Sequence, residues 1–229
     1  MTTAISRLFC GLALLVSCGR LSAENKAAER GHAEHVVLVV WDGMRPDFLT
    51  EANAPTLWKL AQDGVTFRHH HSIYPSLTNV NSTALTTGAR PARSGLLANY
   101  EFRPALDDTK FIRTDKLDVV RQGDEQTGGH YLNAPTVAEL VEAAGGRTAI
   151  VGGKTTSLLH ARRPNDKSVT LFSGETLPAA ALAPIEKALG VFPDKERTPG
   201  IAGDQWTTRA LTEILWAHDV PQYSLLWLS

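Results

Sequence analysis

Two rhythms of apolar and polar positions run along the chain. Val36 to Trp41 (VVLVVW) is an unbroken apolar run ending in Asp42-Gly43, which predicts a strand buried on both faces of a parallel sheet. Arg147 to Gly152 (RTAIVG), Val169 to Phe172 and Tyr223 to Ser229 (YSLLWLS) predict further strands. Between these runs the apolar spacing widens to the helical period. Pro55 to Gly64 carries Leu57, Leu60 and Ala61 on one face, with proline at its start and glycine at its end. Thr78 to Thr87 opens on a hydroxyl residue and closes at Gly88, and Pro135 to Gly146 is the clearest amphipathic segment. Gly203 to Asp219 aligns Trp206, Ala210, Leu211, Ile214 and Leu215 in one stripe suited to helix packing. Val65 to Ser72 reads as extended. Residues 103–130 are polar and unpatterned, and read as a surface excursion.

Strand–helix alternation of this kind predicts an α/β fold, a mostly parallel sheet with helices on both faces. The active site of such a sheet lies beyond the carboxyl ends of its strands. The chain stops within or just after its last apolar run, where such a loop should begin, so a C-terminally truncated domain is expected.

Composition adds bounds. The 229 residues are 43% hydrophobic and 21% charged, which suits a domain with a sizeable core. A formal net charge of −1 argues against a nucleic-acid-binding surface or a polybasic membrane patch. A small anionic substrate would be captured by local positive charge, such as metal ions.

The N-terminus has the marks of a processing segment. Arg7 precedes an apolar stretch, Leu8 to Ser17, too short to cross a bilayer, and Leu21-Ser22-Ala23 suits a signal peptidase. Residues 1–23 are therefore expected to be a signal peptide and the charged residues 24–34 a linker. Export to the periplasm or the outside of the cell follows. Leu15-Val16-Ser17-Cys18 also resembles a bacterial lipobox, which would make Cys18 a lipidated N-terminus. Cys10 and Cys18 both lie in this leader, so the mature chain has neither a disulfide nor a thiolate ligand. A metal site must then be built from carboxylates, histidines and hydroxyls, which suits zinc or another hard-to-borderline divalent ion.

Asp42 falls at the expected carboxyl end of the first strand, where a carboxylate can hold a cation. Taken alone, an aspartate there is more often a turn residue. Thr78 falls where an extended segment enters a helix, and free N–H groups and the helix dipole favour an anion there. Its hydroxyl suits an ordinary N-cap or a nucleophile, and spacing alone favours the cap. His69, His70 and His71 are adjacent, so on a strand they would alternate between faces and could not converge on one ion. His130, His160 and His218 sit in polar or surface contexts without ligand spacing.

The ordered motifs carry a resemblance. Asp42-Gly-x-Arg-Pro-Asp47, Pro75-Ser-x-Thr78-Asn-x-Asn81, Thr87-Gly88-x-x-Pro91-x-x-x-Gly95 and Asn99-Tyr100 resemble the alkaline phosphatase superfamily. The nearest branches are the type I phosphodiesterases/nucleotide pyrophosphatases and the phosphonoacetate hydrolases. The likeness runs from about Val36 to Lys154, with weaker echoes at Asp204-Gln-Trp-Thr-Thr and in the last strand. It implies that residues 35–229 are the N-terminal part of an alkaline phosphatase-like catalytic domain using two divalent metal ions, expected to be zinc. It implies Asp42 as a metal ligand and Thr78 as both nucleophile and ligand. It implies Asn99, twenty-one residues on, as an amide donor to the non-bridging oxygen in the transition state. Lys154, which by default would be a solvated strand-end lysine, is implied to contact the acidic end of a substrate.

Ser94 replaces a histidine found before the glycine in many phosphodiesterases; that histidine is not a ligand. The larger departure is that the superfamily's later Asp-x-x-x-His and Asp-His ligands do not occur. The chain by itself is therefore expected to be inactive. Hydrolysis of phosphodiester or pyrophosphate bonds is the first expectation. Cleavage of a carbon–phosphorus bond is the second, and a non-catalytic module on the same scaffold the third. The partner expected is a small phosphorylated or phosphonate substrate.

Overall fold

A computed structural model describes residues 31–193 and 200–229. The leader with Cys10 and Cys18, and most of the 24–34 linker, lie outside the described residues. Among the described residues no helix is long and apolar enough to cross a membrane.

In chain order, Val36–Trp41 forms β1, and Pro55–Asp63, Thr78–Thr87 and Pro91–Ser94 form helices α1, α2 and α3. Tyr100–Glu101 and Ile112–Arg113 are the short strands β2 and β3. Leu117–Gln126 and Val137–Ala143 form α4 and α5, and Thr148–Gly152 forms β4. Val169–Phe172 and Glu175–Leu177 are β5 and β6, Leu182–Leu189 and Gly200–Arg209 are α6 and α7, and Tyr223–Leu228 is β7. Five strands make one sheet in the order β1-β7-β4-β5-β6, and β2 and β3 form a separate antiparallel pair. β1, β7, β4 and β5 run parallel, with β6 antiparallel at one edge.

Both faces of this sheet are covered, as a parallel sheet requires. On one face, Val151, Leu171 and Leu226 pack with Ile185 of α6 and Trp206 of α7. The alternate residues Ile150, Leu225 and Trp227 pack on the other face with Ala138 of α5. A third cluster joins Val80 of α2, Val120 of α4, Leu158, Leu159 and Phe172. Ile150, Leu225 and Leu171 are wholly buried, each contributing roughly 1.5–3 kcal/mol relative to exposure. Helix α5 is fixed by a capping box: the Thr136 hydroxyl accepts from the Glu139 N–H while the Glu139 carboxylate accepts from the Thr136 N–H. The expected stripe on α7 holds. Trp206, Ala210 and Leu211 are buried, and Ile214 and Leu215 pack against the same cluster as the helix widens into a π-turn over Ala210–Leu215.

Three expectations are corrected. β1 is not buried on both faces: Val36 and Val37 are 50% and 43% exposed. It pairs only with β7, and no other strand among the described residues covers its far edge, so the doubly buried positions fall to β7 and β4. Val65 to Ser72 forms no strand, because it has no ladder partner, and Phe67 is 77% exposed. Residues 103–130 are more than an excursion. They hold β3 and α4, whose Val120, Gly123 and Asp124 are buried.

Candidate functional site

The carboxyl ends of β1, β7 and β4 lie side by side. The Asp42 N–H donates to Leu228 O (3.0 Å) and the Gly153 N–H to Trp227 O (3.1 Å), so the residues after β1 and β4 flank the end of β7. Asp42 and Lys154 meet across it. Lys154 Nζ donates to Asp42 Oδ2 at 2.8 Å, and Trp227 Nε1 donates to the same oxygen at 3.4 Å. Gly43 turns the chain away at once with φ +89°, a conformation that disfavours a side chain.

Thr78 is the first residue of α2, and the N-cap position belongs to Leu77, with no side-chain capping bond. The ordinary cap reading of the Thr78 hydroxyl is therefore removed, and that hydroxyl makes no hydrogen bond to the described residues. Asp42 and Thr78 line one cavity of about 660 Å³, together with His70 and His71. A second cavity of about 260 Å³ is also lined by Thr78, together with Asn99, Tyr100, Arg113, Asp115 and Lys154.

Asn99 is tied to the start of α2. Its Oδ1 accepts from the Asn79 N–H at 2.9 Å, which fixes the orientation of the amide and leaves its NH₂ to point elsewhere. Thr114 holds this junction together. Its hydroxyl donates to Ala98 O (2.9 Å) and accepts from Asn79 Nδ2 (3.0 Å), and its N–H donates to Asn99 O (3.0 Å). Asn79 and Thr114 are buried, so these bonds are sheltered from water. The arrangement makes the α2 terminus, Asn99 and the β2–β3 pair one rigid piece.

A further cation stands at this cavity that sequence reasoning missed. Arg113 Nε and Nη2 bond Asp115 at 2.7 and 3.2 Å, and Nη2 also donates to Thr155 Oγ1 at 2.8 Å. The Thr155 hydroxyl donates to the Asp115 carboxylate in turn. Thr155 follows Lys154, so this cluster ties β3 to the end of β4. An arginine two residues before an aspartate in a polar stretch carries no signal of its own; only the fold shows that Thr155 completes the group.

Below the site, Ser82 Oγ lies 3.0 Å from His160 Nε2. Ser82 sits one turn along α2 from Thr78, and His160 ends the 3₁₀ segment Thr155–His160 that follows Lys154. His160 was expected in a polar or surface context, yet it is fully buried and packs edge-on to Trp227, with ring centroids 5.8 Å apart. Burial pushes its imidazole down to about 3.

Among the described residues no group of three or more His, Cys, Asp or Glu side chains could hold a metal ion. Asp42 and Thr78 offer two oxygen donors at one cavity, and the Asp42 carboxylate already takes a cation, the Lys154 ammonium. That donor set suits one side of a cation site. It does not make a complete one.

This is the layout of an α/β protein in which Asp42, Trp227 and Lys154 meet at the carboxyl edge of a parallel sheet. A family model described as type I phosphodiesterase / nucleotide pyrophosphatase matches residues 36–228, and the chain belongs to that family, within the alkaline phosphatase superfamily. Members of the family generally depend on divalent metal ions. The fold is similar to that of phosphonoacetate hydrolase from Sinorhizobium meliloti 1021, solved in complex with phosphonoacetate, with a TM-score of 0.60 and 22% sequence identity. The match covers 85% of this chain and 46% of that one, so the chain spans about half the length of the protein it matches.

Proposed function

We propose that this chain carries the nucleophile-bearing part of a metal-dependent hydrolase of phosphodiester or pyrophosphate bonds. The observation that carries the reading is Thr78. Its hydroxyl is uncapped at the first position of α2 and shares a cavity with Asp42, and Asn99 is held at the adjacent N–H. In this reading Thr78 Oγ1 forms the bond to phosphorus while the bond to the leaving group breaks on the opposite side, and water then cleaves the phosphothreonine. The Asn99 amide NH₂ and the positive end of the α2 dipole stabilise charge on the non-bridging oxygens, a donor of this kind being typically worth ~3 kcal/mol. A divalent ion, zinc by preference, would lower the pKa of the Thr78 hydroxyl when bound by Asp42 and Thr78. The remaining metal donors come from outside the described residues.

A second reading keeps the same nucleophile and breaks a carbon–phosphorus bond. Two cations beside Thr78 support it: Lys154 and Arg113 are each paired with one carboxylate, Asp42 and Asp115, and keep further N–H groups for an anionic phosphonate. Export, with or without a lipid on Cys18, remains part of the proposal.

The test is Thr78→Ala in the full-length protein, assayed with bis(4-nitrophenyl) phosphate and with phosphonoacetate. Turnover of whichever the wild type hydrolyses should fall by about 10³-fold or more, with unfolding by urea unchanged within ~1 kcal/mol. Retained turnover removes Thr78 from the mechanism.

A further inference from the structure

Arg113 and Tyr100 are directly opposed in the β2–β3 pair, so their side chains leave the same face of that ribbon, and both line the cavity beside Thr78. Arg113 is oriented from behind. Its Nε and Nη2 are held by Asp115, and Nη2 also by the Thr155 hydroxyl. The Asp115 side chain is only 4% exposed, whereas that of Arg113 is 49% exposed. One edge of the guanidinium is thus anchored inward, while Nη1, with two N–H groups, makes no hydrogen bond to the described residues. A guanidinium anchored through Nε and Nη2 loses little freedom when Nη1 donates to an oxyanion. The cavity, at about 260 Å³, sits just below the usual range for ligand pockets, roughly 300–1,000 Å³. That size accommodates a substituent of a few heavy atoms.

Resting on the reading of Thr78 as nucleophile, we propose that Arg113 is a specificity-determining residue that recognises a second anionic oxyacid group on the substrate, carboxylate or phosphoryl. The first anionic group, the one attacked, lies at Thr78, and the second reaches the outer wall formed by Arg113 and Tyr100. Lys154 is next in the chain to the Thr155 that anchors Arg113, so the two cations keep a fixed relation at the rim. A purely structural Arg113–Asp115 tie would act on every substrate alike.

The experiment uses the full-length protein loaded with zinc and three probes: phosphonoacetate, whose second group is a carboxylate; inorganic pyrophosphate, whose second group is a phosphoryl; and bis(4-nitrophenyl) phosphate, which has none. Wild type is compared with Arg113→Lys, which keeps a cation over Asp115, and with Arg113→Met/Asp115→Asn, which removes both charges. The kcat/KM for the doubly anionic probe, taken relative to bis(4-nitrophenyl) phosphate, should fall by about 10- to 100-fold in the double variant, mainly through KM. Arg113→Lys should recover part of that ratio. Whichever doubly anionic probe the wild type turns over identifies the source of the second group. An equal loss on every probe, or an unchanged ratio, overturns the inference. So does a wild type that turns over only bis(4-nitrophenyl) phosphate, in which case the nucleophile reading stands. A wild type that turns over none of the three overturns both.

Discussion

His160 makes a prediction that needs no substrate. The imidazole is fully buried beside Ser82 and Trp227, and burial alone lowers its pKa from 6.5 to about 3. The unfolded chain therefore binds a proton that the folded chain refuses. The stability this contributes is fully present above pH 6.5 and is lost as the pH falls toward the folded value. Each pH unit in that window costs about 1.4 kcal/mol, so moving from pH 6.5 to 5 removes about 2 kcal/mol. Against a domain stability of roughly 5–15 kcal/mol, that is a large fraction. Other groups titrate as well, so the informative quantity is a difference. His160→Gln keeps a polar side chain near Ser82 but cannot titrate. Urea unfolding of wild type and variant at pH 7.5, 6.5, 5.8 and 5.0 should show the variant less stable at the highest pH, by about 2 kcal/mol or more. The gap should then narrow by about 2 kcal/mol at pH 5. A gap constant across the series would mean that His160 does not titrate differently in the two states, and the burial argument fails.

Two other substitutions test the packing around the site. Gly123→Ala should destabilise the chain by about 1–3 kcal/mol in urea unfolding, because its new Cβ would run into the Tyr131 ring that lies over it. Thr136→Ala should cost about 1 kcal/mol by removing the side-chain half of the α5 capping box, read as a lower melting temperature.

The parallel strands of the main sheet were legible in sequence because their apolar runs are local signals, whereas the antiparallel β6, with only Leu177 as a large apolar residue, was not. β4, β5 and β7 fell where the runs were, and α1, α2, α5 and α7 where the spacing turned helical. α4 was not legible, because its buried face includes Gly123 and Asp124. Gly123 is small because the Tyr131 ring lies over it, and Asp124 is buried because Arg162, 38 residues away, pairs with it. The place of β1 at an edge was hidden for a similar reason: an apolar run shows that a strand is buried somewhere, not how many neighbours it has. At the site, the spacing of Asp42, Thr78 and Asn99 was visible through family motifs. Arg113 was invisible, since its meaning depends on Thr155, 42 positions downstream. His160 looked like a surface residue because the groups that enclose it come from α2 and β7.

The exposed face of β1 also bears on handling. Its six residues include no charge and no proline, the two devices that most often keep a bare ladder edge from recruiting another strand. Among the described residues no strand pairs with that edge, and Val36 and Val37 beside it are half exposed. Solutions of this polypeptide should therefore show concentration-driven association through strand addition, and a lysine introduced at Val37 is the economical remedy.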